Sequence, residues 1–256
     1  MKTALPRWML APATIAIVTA CSAAARATAV PHGESEEYGS DTTADSVADL
    51  PLTLVAASGP AAAQFAVLLT GDGGFASIDR EIADSLARHG IPVVALDSRS
   101  YLSAQRNPEQ ASRDLERILT HYLSALARQD VLLIGYSRGA NILPFMVSRL
   151  PADLISRVQL VALLGPATTA NFKFHMVDLI SDRHRKDDIP TLPEIAKLRG
   201  RRVLCFYGTD EKDSACPSLD ASKATSVAMP GGHHFGQRYG EIAERILQQL
   251  PVTTGS

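Results

Sequence analysis

The sequence predicts an α/β fold with a mostly parallel central sheet and helices on both faces. Short apolar runs alternate along the chain with stretches whose apolar residues recur at helical spacing. The run at residues 65–69 is apolar at every position, as expected of a strand buried on both faces of a sheet. A third observation is the Gly-x-Ser-x-Gly pentapeptide at residues 135–139, which lies between an apolar run and a helical stretch.

The composition fits one sizeable domain. The chain has 256 residues, of which 46% are hydrophobic and 20% charged, so it can bury a substantial core. Its formal net charge is -2 at pH 7, so it has none of the excess positive charge that nucleic-acid binding requires. We therefore expect no nucleic-acid partner.

Residues 1–29 have the features of a secretory signal peptide. Lys2 and Arg7 precede a short apolar stretch. Two processing sites compete: a lipobox-like sequence that ends at Cys21, and an Ala-x-Ala site that ends at Ala29. We expect export to the periplasm, with a membrane anchor at Cys21 where the lipobox is used.

Residues 30–49 are predicted to form a disordered acidic linker. They combine Asp and Glu with Ser, Thr, Gly and Ala and have almost no large apolar residue. Such a segment buries too little surface to offset the entropy cost of ordering it. The α/β domain is then expected to span residues 50–251.

The elements of this domain can be placed in order. The apolar runs predict strands at residues 52–55, 65–69, 93–96, 131–134, 158–163, 203–207 and 225–228. Helical periodicity predicts helices near residues 78–87, 107–126, 140–147 and 242–250. The second helix has a marked start, with Asn107 as the cap, Pro108 at the first position and Gln110 three residues after the cap.

The pentapeptide is interpreted as a nucleophile elbow centred on Ser137. A strand, a sharp turn and a helix in that order hold the serine above the sheet edge, and the flanking glycines let the elements approach. The amide of Arg138, at the helix start, then points toward a developing oxyanion. A second oxyanion donor is expected in the glycine-rich turn after the strand at 65–69, first from Asp72 and next from Gly73.

An acid and a histidine complete the expected set. Glu211, three residues after a strand-ending glycine, is the first candidate for the acid, and Asp210 and Asp213 stay open. His234 is the first candidate for the imidazole and His233 the second. The order Ser, acid, His is that of the α/β hydrolases, so an α/β-hydrolase fold is predicted. Because neighbouring histidines point apart, we predict no metal site, and the sequence indicates no cofactor.

Two further features lie near this set. Cys205 and Cys216 flank the acidic turn, and in an oxidising compartment we expect them to form a disulfide that holds Glu211 in place. The long connection at residues 165–195 has apolar residues followed by a basic run at 183–186. We interpret it as a candidate lid over an apolar substrate.

Five motifs together resemble one known family. They are LTGDGGF at 69–75, DSRSY at 97–101, GYSRGA at 135–140, YGTDEKDSACP at 207–217 and PGGHHF at 230–235. The combination is similar to the bacterial virulence protein VirJ and AcvB family, and the resemblance covers roughly residues 50–250.

This resemblance implies a periplasmic α/β hydrolase that cleaves aminoacyl esters of phosphatidylglycerol, such as lysyl-phosphatidylglycerol. It also implies a link to type IV secretion. The implied partners are an aminoacylated phospholipid or other ester substrate, a membrane surface and secretion-system proteins. Within the site it implies Ser137 as the nucleophile, with His234 or His233 and an acid near Glu211.

Alternatives remain at the level of function. One is a general carboxylesterase or lipase with another acyl substrate, and another is a secretion accessory protein that uses the fold as a docking surface. A further hypothesis concerns charge: the carboxylates of Asp72, Asp97 and Glu211 would form an acidic mouth suited to a cationic aminoacyl group.

Overall fold

The computed structural model describes residues 46–173, 186–198 and 200–250. The expected signal peptide, Cys21, most of the linker and residues 174–185 of the candidate lid lie outside the described residues. In the described part of the chain, no helix is both long and apolar enough to cross a membrane.

A seven-stranded sheet forms the centre of the fold. Its strands are β1 (Leu52–Val55), β2 (Gln64–Leu69), β3 (Val93–Leu96), β4 (Asp130–Tyr136), β5 (Val158–Leu164), β8 (Arg202–Gly208) and β9 (Thr225–Met229), and a separate ribbon pairs β6 (Thr169–Ala170) with β7 (Ile189–Pro190). The order in the large sheet is β1-β3-β2-β4-β5-β8-β9. Every pairing is parallel except that of β1 with β3, so the predicted mostly parallel sheet is confirmed.

Seven α-helices accompany the strands in the described residues. They are α1 (Ser77–Arg88), α2 (Ser98–Tyr101), α3 (Pro108–Ala125), α4 (Arg138–Val147), α5 (Ala152–Arg157), α6 (Leu192–Lys197) and α7 (Tyr239–Leu247). The predicted start of α3 is confirmed: the Asn107 side chain accepts from the Gln110 N–H at 2.8 Å, and the Gln110 side chain accepts from the Asn107 N–H at 3.1 Å.

The core consists of two layers, one on each face of the sheet. Along β4, Val131 and Leu133 belong to the layer that includes α3 and α4. Leu132 and Ile134 belong to the layer that includes α1 and α7. Because successive side chains of a strand point to opposite faces, a strand covered on both sides must be apolar at every position. The apolar runs in the sequence have this origin.

The folded part begins slightly before the predicted boundary at residue 50. Val47 packs against the core, and Leu50 is buried in it. Arg117 of α3 forms an ion pair with Asp49 and donates to the carbonyl of Ser46. Residues 46–49, assigned to the linker from composition, are therefore attached to the domain by contacts that composition does not reveal.

The topology determines where a site can form. The turns after β2, β4, β8 and β9 all follow the carboxyl ends of parallel strands, so they meet at one edge of the sheet. These turns carry the residues that the sequence singles out.

Candidate active site

Ser137 occupies a sharp turn between β4 and α4. Its backbone has φ 51° and ψ -115°, an unfavourable conformation for a residue with a side chain. The glycines on either side permit the turn. A Cβ on Gly139 would lie 2.2 Å from the carbonyl oxygen of Leu69, and one on Gly135 would lie 2.7 Å from the Gly139 carbonyl oxygen. The predicted elbow geometry is therefore present, with strand and helix closer than any side chain would allow.

A chain of two hydrogen bonds starts at this serine. The Ser137 Oγ lies 2.8 Å from Nε2 of His233, and Nδ1 of His233 lies 2.6 Å from Oε1 of Glu211. In the neutral imidazole that carries its proton on Nδ1, Nδ1 donates to the carboxylate and Nε2 accepts from the hydroxyl. The Glu211 side chain is 13% exposed, so most of this carboxylate is shielded from water.

The turn after β8 presents only one of its three candidate acids to the imidazole. Glu211 closes the turn, because its N–H donates to the Gly208 carbonyl at 3.0 Å and its Oε2 accepts from the Gly208 N–H at 3.3 Å. Asp210 and Asp213 are exposed and do not contact His233 in the described structure. Cys205 and Cys216 form a disulfide on either side of this turn, with their Cα atoms 5.4 Å apart.

His234, the first candidate from the sequence, does not reach the serine. Its Nδ1 lies 2.8 Å from the hydroxyl of Tyr136, and the residue is exposed. The two imidazole rings lie edge to face with centroids 5.9 Å apart, and the one that faces Ser137 is His233. The preference for His234 is corrected on this geometric ground.

Two residues that the sequence did not single out support the His233 ring. Tyr136 stacks against it, with ring centroids 5.5 Å apart and an interplanar angle of 29°. Burial raises the pKa of the Tyr136 hydroxyl, which therefore remains protonated. Gly165 directly follows β5 and has φ 61°, and a Cβ there would lie 2.9 Å from Cε1 of His233. For Gly165, the sequence did offer a signal: it is a glycine at the carboxyl end of a strand in the middle of the predicted order.

The glycine-rich turn after β2 lies beside the elbow. A Cβ on Gly71 would lie 3.3 Å from the Cβ of Ser137. The Gly139 N–H donates to the Thr70 carbonyl at 3.1 Å, which ties the turn to α4. Arg138 is the first residue of α4, where the backbone N–H groups of a helix point away from it toward the turn. The amides of Asp72, Gly73 and Arg138 thus belong to two segments that meet next to the serine.

The acidic-mouth hypothesis finds limited support in the side chains. Asp72 forms an ion pair with Arg138, and Glu211 contacts His233. Asp97, at the carboxyl end of β3, accepts from the Ser100 N–H through Oδ1 at 2.8 Å. Its Oδ2 faces the glycine-rich turn, 2.7 Å from where a Cβ of Gly74 would lie. Of the three acids, Asp97 is the one whose carboxylate contacts neither an arginine nor a histidine in the described structure.

A fourth carboxyl group lies beneath this turn. Asp79 in the first turn of α1 is 1% exposed, and its Oδ2 accepts from the Ala76 N–H at 3.0 Å. Its Oδ1 is buried with no hydrogen-bond partner among the described residues. Burial, which penalises the charged form, raises the pKa of Asp79 to about 7.

Solved structures of several hydrolases share this fold. Est1E from Butyrivibrio proteoclasticus with bound ferulic acid superposes with a TM-score of 0.57 at 13% identity, covering 78% of this chain and 95% of that one. A serine hydrolase without lid from Xanthomonas campestris superposes with a TM-score of 0.52 at 16% identity, covering 79% and 90%. The esterase domain of a Rhodothermus marinus protein gives 0.53 at 13%, covering 77% and 90%.

The protein has an α/β-hydrolase fold, and its Ser137 lies on a nucleophile elbow. The family described as bacterial virulence protein (VirJ) matches residues 63–253, which is most of the chain. The chain belongs to this family, as its motifs indicated. No curated protein matches it at a significant level.

Proposed function

We propose that this protein is an exported serine hydrolase that cleaves the aminoacyl ester of aminoacyl-phosphatidylglycerol. The observation that carries the proposal is the hydrogen-bonded chain from Ser137 through His233 to Glu211, on an elbow in a member of this family. The resemblance of this chain's motifs to the family supports an aminoacylated phospholipid as the class of substrate.

Acylation is the first half of the reaction. Ser137 Oγ attacks the acyl carbonyl carbon while its proton moves to Nε2 of His233, and Glu211 stabilises the imidazolium. The carbonyl oxygen becomes an oxyanion that accepts from the amides of Arg138 and Asp72, with Gly73 next in line. The bond to the glycerol oxygen then breaks. That oxygen takes the proton from Nε2, and the aminoacyl group remains on the serine as an ester.

Deacylation repeats these steps with water. A water molecule gives a proton to Nε2 of His233 and attacks the ester carbonyl, which forms a second oxyanion in the same place. Collapse returns the proton to Ser137 and releases the free amino acid. The lipid product is phosphatidylglycerol.

Asp97 is the carboxylate that we assign to the substrate ammonium. An aminoacyl ester has an ammonium group one carbon away from the reacting carbonyl, and Asp97 borders the turn that would bind the oxyanion. A lysyl ester and an uncharged acyl ester of the same alcohol should therefore differ in KM. Equal KM values for both esters would remove this assignment while leaving the hydrolase proposal intact.

The location of the enzyme forms part of the proposal. A phospholipid substrate requires contact with a membrane surface, and the N-terminal sequence supports export to the periplasm. Processing at Cys21 would add a lipid anchor to the chain. Secretion-system proteins remain the further partners implied by the family.

The direct test uses the mature protein and vesicles that contain lysyl-phosphatidylglycerol. We expect release of free lysine, and a loss of about 1000-fold or more in Ser137→Ala, because the nucleophile is removed. Hydrolysis of p-nitrophenyl acetate without any lysine release would favour a general carboxylesterase. Full biological activity of Ser137→Ala would instead favour a docking protein.

A further inference from the structure

A bidentate ion pair joins the two segments beside the serine. Nε of Arg138 donates to Oδ1 of Asp72 at 2.7 Å, and Nη2 of Arg138 donates to Oδ2 at 3.2 Å. The Arg138 side chain is 9% exposed and that of Asp72 is 23% exposed, so the pair is largely shielded from water. Parallel bonds between two planar groups restrict their relative orientation more than one contact would.

The same two residues supply the expected oxyanion donors through their backbones. Asp72 lies in the turn after β2, and Arg138 is the first residue of α4. Their side chains therefore connect the two polypeptide segments whose N–H groups must converge on one oxygen atom. A donor of this kind works only when it lies about 2.7–3.1 Å from the position of the oxyanion.

The composition of the turn explains why it needs such a connection. Residues 71–74 read Gly-Asp-Gly-Gly, so the side chain of Asp72 is the only one in the turn. Glycine has the largest backbone freedom of any residue, so three glycines restrain the direction of an amide less than other residues would. The Gly74 N–H donates to the Gly71 carbonyl at 3.1 Å and closes the turn, and the Gly139 N–H donates to the Thr70 carbonyl just before it. Neither bond ties Asp72 to Arg138.

We propose that the side chains of Asp72 and Arg138 are positioning residues that hold the two oxyanion donors in register. This inference rests on the proposed function, because it concerns the same serine. It assigns the Asp72 carboxylate to Arg138 and not to the substrate. Weakening the pair should therefore reduce stabilisation of the transition state while substrate affinity stays the same.

The experiment compares Asp72→Asn and Arg138→Lys with a matched control. Asn keeps the size of Asp72, and Lys keeps the charge of Arg138, but neither preserves the bidentate charged pair. The control is Asp114→Asn, which weakens the largely shielded pair between Asp114 and Arg117 on α3. Ser137→Ala provides the inactive reference, and thermal melting reports whether each variant is folded.

Two readouts separate positioning from stability. With p-nitrophenyl acetate we expect kcat to fall about 10- to 100-fold in both site variants, with KM within about twofold of wild type. A trifluoromethyl ketone forms a tetrahedral adduct with the serine, and its oxyanion occupies the place of the transition-state oxyanion. Its inhibition constant should rise by the same factor as kcat/KM falls. Asp114→Asn should leave all three constants unchanged even where its melting temperature decreases.

Three outcomes would overturn the inference. They are wild-type kcat in a folded Asp72→Asn, a rise in KM at constant kcat, and a fall in kcat with an unchanged ketone inhibition constant. Failure of the proposed function has a different signature, since the wild type would then be no faster than Ser137→Ala. That result would also remove the positioning role of the ion pair. The three outcomes above, in contrast, would leave the proposed hydrolase activity intact.

Discussion

At the scale of single residues, the site depends on which side chains can approach each other. Gly139 lets α4 lie against the carbonyl of Leu69, and Gly165 leaves room for the edge of the His233 ring. A methyl group at either position would displace backbone or imidazole by about an ångström, and such a displacement costs roughly 100-fold in rate at a reacting centre. Small residues at strand ends are therefore as important to the chemistry as the polar ones.

The two adjacent histidines provide a test at this scale. We expect His233→Ala to lower kcat about 1000-fold or more, because the general base is removed. His234→Ala should lower kcat less than about tenfold, since His234 contacts Tyr136 and not the serine. Turnover of p-nitrophenyl acetate by the two purified variants measures the difference. A larger loss in His234→Ala would reverse the assignment.

At the scale of elements, most of the fold was predictable from the sequence. Each strand of the large sheet coincides with a predicted run. The inner strands are almost entirely apolar because they are covered on both faces, whereas the outer strands β1 and β9 are partly exposed and include Thr53, Thr225 and Ser226. The short α2, α5 and α6 and the ribbon of β6 and β7 were missed, since a few residues give no measurable periodicity. The choice between His233 and His234 failed for a different reason: sequence order does not determine which of two neighbours faces inward.

The disulfide belongs to the same scale, because it holds the turn between β8 and the segment that starts at Cys216. It closes a loop with a sequence separation of 11 residues that contains Glu211. Replacing both cysteines with alanine should lower the free energy of unfolding by about 3 kcal/mol on the chain-entropy model. We also expect kcat to fall, because Glu211 loses its restraint. Urea unfolding and ester turnover measure the two effects. An unchanged kcat would show that the turn's own hydrogen bonds are enough to hold Glu211 in position.

At the scale of the whole molecule, the sheet separates two cores, and one buried carboxyl group makes global stability depend on pH. Burial raises the pKa of Asp79 from its ordinary value of 3.8 to about 7. The folded state therefore binds this proton more tightly than the unfolded chain does. The contribution to stability is complete below about pH 4 and is lost as the pH rises to about 7.

Asp79→Asn should remove this dependence, since an amide can still accept from the Ala76 N–H but does not ionise. Between pH 4 and 7 we expect the wild type to lose up to roughly 1.4 kcal/mol per pH unit relative to the variant. Urea unfolding of both proteins across this range measures the difference. Parallel pH profiles would show that Asp79 does not carry the effect.

The order of the strands also has a consequence for how the proposed activity would be lost. β4, which carries Ser137, lies in the middle of the sheet, whereas β9, which leads to His233, is the last strand in the order. Outer strands detach at lower free-energy cost than central ones. Mild denaturant should thus separate base from nucleophile while most of the secondary structure survives, so that inactivation precedes the loss of circular dichroism.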